Sequence, residues 1–155
     1  MIQRIQTLFL FAASVLLLLS TLLPLTKLYD ISSNTFITMY AIKISIAGNP
    51  ISIISRSLIV TGSFLYLTTL LGFIAIFLYK NRKIQMLITS IAMVCSFFCC
   101  NLIVITSYRI MPSADTSLSF TLYALFPVIA LILFYLAYKA INKDDKLVKS
   151  LDRIR

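Results

Sequence analysis

Four long stretches of this chain, about Ile5–Leu25, Ser57–Tyr79, Ile84–Thr106 and Ser119–Tyr138, contain no Asp, Glu, Lys, Arg or His. A helix needs roughly 20 predominantly apolar residues to cross the hydrocarbon of a bilayer, and each stretch has that length. Any one of them alone could also be the buried helix of a water-soluble domain. Four of them in 155 residues, at 60% hydrophobic and a mean hydropathy of +0.98, leave too few polar residues to clothe such a core. The expected fold is an all-α membrane protein, a single domain over residues 1–155. It is a bundle of four transmembrane helices with a loop at 26–56 and a tail at 139–155. The first run is too long for a signal-peptide core, and Pro24, Thr26 and Lys27 follow it where a small-residue cleavage site would stand. It is expected to remain as the first span.

Lys and Arg set the orientation. Arg4 precedes the first run, Lys80, Arg82 and Lys83 crowd the link between the second and third, and six more cations lie in the tail. The other side of the bundle carries Lys27, Lys43, Arg56 and Arg109. An excess of cations marks the cytoplasmic side, so both termini are expected there and the 26–56 loop outside. The net charge of +9 does not point to nucleic acid, because the cations cap the apolar runs and form no continuous stripe. Tyr29, Tyr79, Tyr108, Tyr135 and Tyr138 stand at span ends, as an interfacial belt requires.

In the outer loop, Phe36, Tyr40, Ile42, Ile44 and Ile46 share one parity and Thr35, Lys43 and Ser45 the other, the period of a half-buried strand. Turn residues at 30–34 and at Gly48-Asn49-Pro50 frame it, and Ile51–Ser55 is placed to pair back. The expectation is a small antiparallel sheet capping the bundle; an amphipathic loop lying among headgroups is the other reading. Pro127 falls inside the fourth run and predicts a kink there.

Chemistry-bearing groups are few. Cys95, Cys99 and Cys100 are the only thiols, and the chain has no His and no Glu to complete a zinc site. No metal, cofactor or catalytic set is expected, and the chain does not read as an enzyme. Ala92, Ser96 and Cys100 form a small-residue stripe at four-residue spacing, as Thr68 and Gly72 do on the second run. Such stripes let helices approach closely. Asn101, an amide well inside the third run, is expected to bond across helices. In the tail, Lys139, Lys143, Lys146, Lys149 and Arg153 occupy one arc of a helical wheel; Ile141, Leu147, Val148, Leu151 and Ile154 occupy another, with Asp144 near the apolar arc. A basic amphipathic helix of this kind suits an anionic inner leaflet, with docking on a partner protein as the alternative.

The opening Met1-Ile2-Gln3-Arg4-Ile5-Gln6, the segment Tyr123-Ala124-Leu125-Phe126-Pro127 and the closing stretches Lys139–Val148 and Ser150–Arg155 resemble a family of small four-helix membrane proteins of Bacteroidetes-type bacteria, known as a domain of unknown function. The resemblance implies a bacterial inner-membrane location with the tail in the cytoplasm, and brings no activity or catalytic residue. Its longer stretches lie at the two ends of the chain, which four antiparallel spans return to one face. Gln3, Arg4 and Gln6 are therefore expected to meet the first turns of the tail helix. Two functions follow as expectations: a non-enzymatic scaffold or accessory subunit of a membrane complex, or an oligomeric channel or transporter for an uncharged or lipophilic small molecule. The partners expected are the lipid bilayer, anionic inner-leaflet lipids, and a membrane-protein partner or further copies of the chain.

Overall fold

The computed structural model describes residues 2–31, 34–46, 49–53, 55–111 and 116–152, and the side chains of 5–31, 34–46, 55–79, 81–111 and 116–147. The long helices are α1 (Ile2–Leu22), α2 (Arg56–Phe77), α3 (Arg82–Ile110) and α4 (Phe126–Asp152). All four are long and apolar enough to cross a membrane. Each packs against its chain neighbours, and α1 closes the ring against α4.

The helices are sorted inside-out. Large apolar side chains such as Leu8, Phe11, Leu70, Phe77, Leu87, Phe97, Phe98 and Ile132 face outward. Small or hydroxyl-bearing residues turn inward: Ser14, Thr61, Thr68, Gly72, Ala75, Thr89, Ala92 and Ser96. An apolar mantle of this extent is unstable in water. In lipid, where burying apolar surface yields little between helices, close approach and hydrogen bonds hold a bundle together. Gly72 shows the tightness. A Cβ there would run into the Ser14 hydroxyl and lie 3.1 Å from the Phe134 ring, so α1, α2 and α4 meet around it.

The seam between α2 and α3 has a seven-residue repeat. Thr61 and Thr106 share a hydroxyl–hydroxyl hydrogen bond of 2.8 Å, Thr68 lies 3.5 Å from Cys99 Sγ, and Ala75 and Ala92 are both fully buried. This changes the small-residue stripe expected on α3. Successive steps of four advance about 40° each around a 3.6-residue helix, whereas alternating steps of four and three stay on one face. The inward face therefore runs Ala92, Ser96, Cys99, Ile103 and Thr106, and Cys100 turns half outward. Asn101 goes further round. It is exposed, and its amide donates to the Phe97 carbonyl of its own helix at 2.9 Å instead of bonding across helices.

One end of the bundle carries a five-stranded antiparallel sheet. Its strands are β1 (Thr26–Asp30), β2 (Thr35–Met39), β3 (Ile44–Ile46), β4 (Asn49–Ile53) and β5 (Thr116–Phe120), in the order β4-β3-β2-β1-β5. The alternating segment expected as one strand is two. A turn closed by Tyr40 N–H to the Lys43 carbonyl, 2.8 Å, separates β2 from β3 and reverses the parity. Ile37 and Met39 point to the helices, while Phe36 faces away and packs on Tyr29 with ring centroids 4.7 Å apart. Asn34 takes the left-handed conformation, φ 52°, in the β1–β2 turn, which Asn tolerates. Gly48 of the expected second turn lies outside the described residues, and Asn49 and Pro50 belong to β4. Ser119 and Phe120, counted in the fourth apolar run, are instead in β5, which pairs with β1 through Lys27↔Ser119 and Thr26↔Phe120.

Two prolines mark helix ends. Pro24 follows the end of α1 at Leu22, since the residue before a proline disfavours helical geometry. Pro127 is the second residue of α4, preceded by a 3-10 turn at Leu122–Leu125. The first turn of a helix lacks acceptors for its N–H groups in any case, so proline sits there without the expected mid-span kink. The Pro127 carbonyl accepts a hydrogen bond from Ser96 Oγ at 2.8 Å, tying α3 to the start of α4.

Candidate functional site

The end of the bundle opposite the sheet gathers polar side chains from the margins of the apolar runs and from the segments that join them. It is built on α4, which does not stop where its apolar run ends. No proline or glycine follows Tyr138, so the helix continues unbroken into the tail through Asp152. Its 27 residues extend about 40 Å, roughly 10 Å more than the hydrocarbon thickness of a bilayer. The amphipathic tail expected as a surface helix is thus a continuation of the fourth helix. Its apolar face is used first inside the protein: Ile141 is fully buried.

One turn beyond Ile141, Asp144 faces the same way and is only 7% exposed. Its Oδ2 accepts a hydrogen bond from Gln6 Nε2 of α1, itself 5% exposed, across 138 residues of chain. Arg82, the first residue of α3, donates from Nη1 to the Asp144 backbone carbonyl at 3.1 Å. Asp144 thereby links α4 to both α1 and α3. Gln85, one turn further along α3, donates to the Ala75 carbonyl near the end of α2 at 3.0 Å. These bonds tie α1 to α4, α4 to α3 and α3 to α2 at this end. The other carboxylate oxygen, Asp144 Oδ1, is buried with no hydrogen-bond partner among the described residues, which makes the carboxyl costly to bury and dependent on the donors it has.

Two grooves flank the α4 extension. On the α1 side, a groove of about 550 Å³ is lined by Phe9, Leu136 and Ala140 together with Lys139, Lys143 and Lys146. Positions 139, 143 and 146 follow the four-and-three spacing that keeps side chains on one helix face, and all three lysines are exposed. On the α3 side, a shallower groove of about 410 Å³ runs between Lys83, Met86, Leu87, Ser90 and Ile91 and the α4 residues Tyr138 and Asp145. The rigid extension therefore presents a lysine face beside an apolar floor.

The expected tail-end residues divide accordingly. Lys139, Lys143 and Lys146 share the first groove. The side chains of Gln3, Arg4 and Lys149, and all of Arg153, lie outside what the structure describes. Gln6 meets Asp144, so an α1–α4 contact exists at this end. Arg82, Gln85 and the inward turn of Asp144 escape a reading by sequence. The one available signal was the place of Asp144 on the arc of Ile141.

A family comparison bears on the whole of this architecture. The model for a domain of unknown function, DUF4293, matches residues 2–154. The chain belongs to the DUF4293 family. That match covers both the junction and the sheet of this DUF4293 protein, and it attaches no activity to either. No curated protein matches the chain.

The junction's chemistry is that of a clamp: one carboxylate, two amides and a guanidinium, each engaged with another helix. Among the described residues no group of three or more His, Cys, Asp or Glu side chains comes together. Cys99 is buried in the α2–α3 seam, and Cys95 and Cys100 are half-buried on the same helix.

Proposed function

We propose that the protein is a non-enzymatic integral membrane scaffold or accessory subunit of a membrane complex in a bacterial inner membrane, with both termini in the cytoplasm. The observation that carries this reading is the clamped extension of α4. A helix that leaves the apolar zone and is tied by Asp144 to α1 and α3 holds Lys139, Lys143 and Lys146 in fixed relation to the bundle. Such a surface serves recognition. Anionic headgroups of the inner leaflet would gain about 1 kcal/mol per lysine near the surface, and an acidic partner segment would use the same cations. The concentration of Lys and Arg at this end supports its cytoplasmic placement.

The test is affinity purification of the tagged chain from native membranes in mild detergent, with mass spectrometry of what accompanies it. A different membrane protein recovered at fixed ratio, and lost in a K139E/K143E/K146E variant, is the expected result. A clean monomer or homo-oligomer overturns the accessory-subunit reading; a homo-oligomer that retains a small lipophilic molecule replaces it with a transporter.

A further inference from the structure

A second cationic feature lies at the sheet end, where the tail-end proposal has no bearing. Arg56 opens α2 and Arg109 is the next-to-last residue of α3, so the antiparallel pair brings both guanidiniums to one level. They line a single cleft of about 350 Å³ between the two helices, together with Ser57, Val60, Leu102, Ile105 and Thr106. Both arginines are exposed, and neither has an ion-pair partner among the described residues.

The cleft is graded along the helix axes. The arginines stand at its mouth. Next come hydroxyls: Ser57, whose Oγ lies 3.0 Å from Ser55 Oγ, and Thr106, paired with Thr61. Beyond them are Val60, one turn along α2 from Arg56, and Ile105 and Leu102, one and two turns along α3 from Arg109. From Arg109 to Leu102 the helix advances about 10 Å. Val60 and Ile105 are about half exposed, so the apolar part opens sideways on the outer surface of the bundle.

We propose that this cleft binds one glycerophospholipid of the leaflet at the sheet end, with the phosphodiester between Arg56 and Arg109 and an acyl chain along Val60, Ile105 and Leu102. A guanidinium offers paired donors that match phosphate oxygens, and two of them answer an anion with no competing carboxylate among the described lining residues. Hydroxyls at the next level suit the glycerol ester oxygens, and the apolar walls suit the chain. Free inorganic phosphate would use the mouth alone and leave the walls empty. The headgroup should be anionic, as in phosphatidylglycerol, because the described lining residues offer no acid to an ethanolamine ammonium. The inference rests on the bundle lying in a bilayer; it is independent of the scaffold role.

The test is native mass spectrometry of the detergent-extracted protein titrated with phosphatidylglycerol, phosphatidylethanolamine or inorganic phosphate. Wild type should hold one phosphatidylglycerol at least tenfold more tightly than phosphatidylethanolamine, and excess inorganic phosphate should not displace it. R56Q/R109Q should abolish that preference. V60W, which fills the apolar part at an exposed position and spares both charges, should lower occupancy severalfold. K139Q/K143Q/K146Q should leave this adduct unchanged. Equal retention by wild type and R56Q/R109Q, displacement by inorganic phosphate, or loss of the adduct only in the lysine variant would each overturn the site. Recovery of the chain in the soluble fraction without detergent would overturn this site together with the membrane reading. A membrane-extracted chain that binds no lipid selectively overturns the cleft alone.

Discussion

The two ends of the bundle are closed by different means. At the sheet end, closure is spread over many main-chain hydrogen bonds among five strands, seated on the helices through Leu28, Ile37 and Met39. Side chains add to it where Thr26 and Ser107 hydroxyls lie 3.3 Å apart and Ser107 donates to Met39 Sδ at 3.8 Å. At the tail end, by contrast, two ties of α4 run through Asp144, one from its carboxylate to Gln6 of α1 and one from its main-chain carbonyl to Arg82 of α3. A sheet tolerates the loss of any one polar side chain because its backbone pairs remain. The Gln6–Asp144 tie is made between two side chains and does not survive loss of either. The sheet end should therefore fail mainly through lost packing, and the tail end through lost polar contacts.

The largest effect is expected at the sheet end from a cavity. Leu28 is fully buried at the centre of β1, the strand that pairs with both β2 and β5. Leu28→Ala should cost about 2–5 kcal/mol, read from unfolding in mixed detergent micelles, with protease cleavage near Lys146 unchanged. Next, Asp144→Ala removes the acceptor of Gln6 and leaves a buried amide unpaired. It should cost about 1–3 kcal/mol and expose the tail to protease while sites in β1 and β2 stay protected. Because these positions stand at opposite ends, the double variant should add to within about 0.5 kcal/mol. A larger coupling would show that the ends do not act separately.

Smaller effects probe the middle. Thr106→Val removes one member of the Thr61–Thr106 pair, and Thr61 retains its bond to the Ser57 carbonyl at 3.0 Å. The expected loss is about 0.6 kcal/mol, visible in the same unfolding assay. Asn101→Leu should be the mildest, at or below about 0.5 kcal/mol, since its amide donates to the Phe97 carbonyl of its own helix and its side chain is exposed. A large loss at Asn101 would mean that a further helix covers that face.

Some of the candidate site was legible by sequence. The spacing of Lys139, Lys143 and Lys146 reads as one face from helical geometry alone, and they share one groove. Asp144 was legible only as an oddity on the apolar arc, because its donor, Gln6, lies 138 residues away. β5 was hidden for a different reason. Leu118 and Phe120 alternate with Ser117 and Ser119, but this short period-two signal merged with the charge-free run that follows it. The buried parity of β2 is not legible locally, because a strand's faces are assigned by whatever lies beneath it and the turn at Tyr40–Lys43 resets the alternation.

The sequence by itself determined the four apolar helices and the distribution of cations between the two ends. These are sums over local windows, and a helix meets its own hydrogen-bonding needs without a distant partner. Tertiary structure alone decided which polar groups turn inward, the register of the sheet, the unbroken course of α4 and the pairing of Arg56 with Arg109 around one cleft. Each of these depends on which neighbour stands opposite, and that is settled only when the four helices have closed their ring.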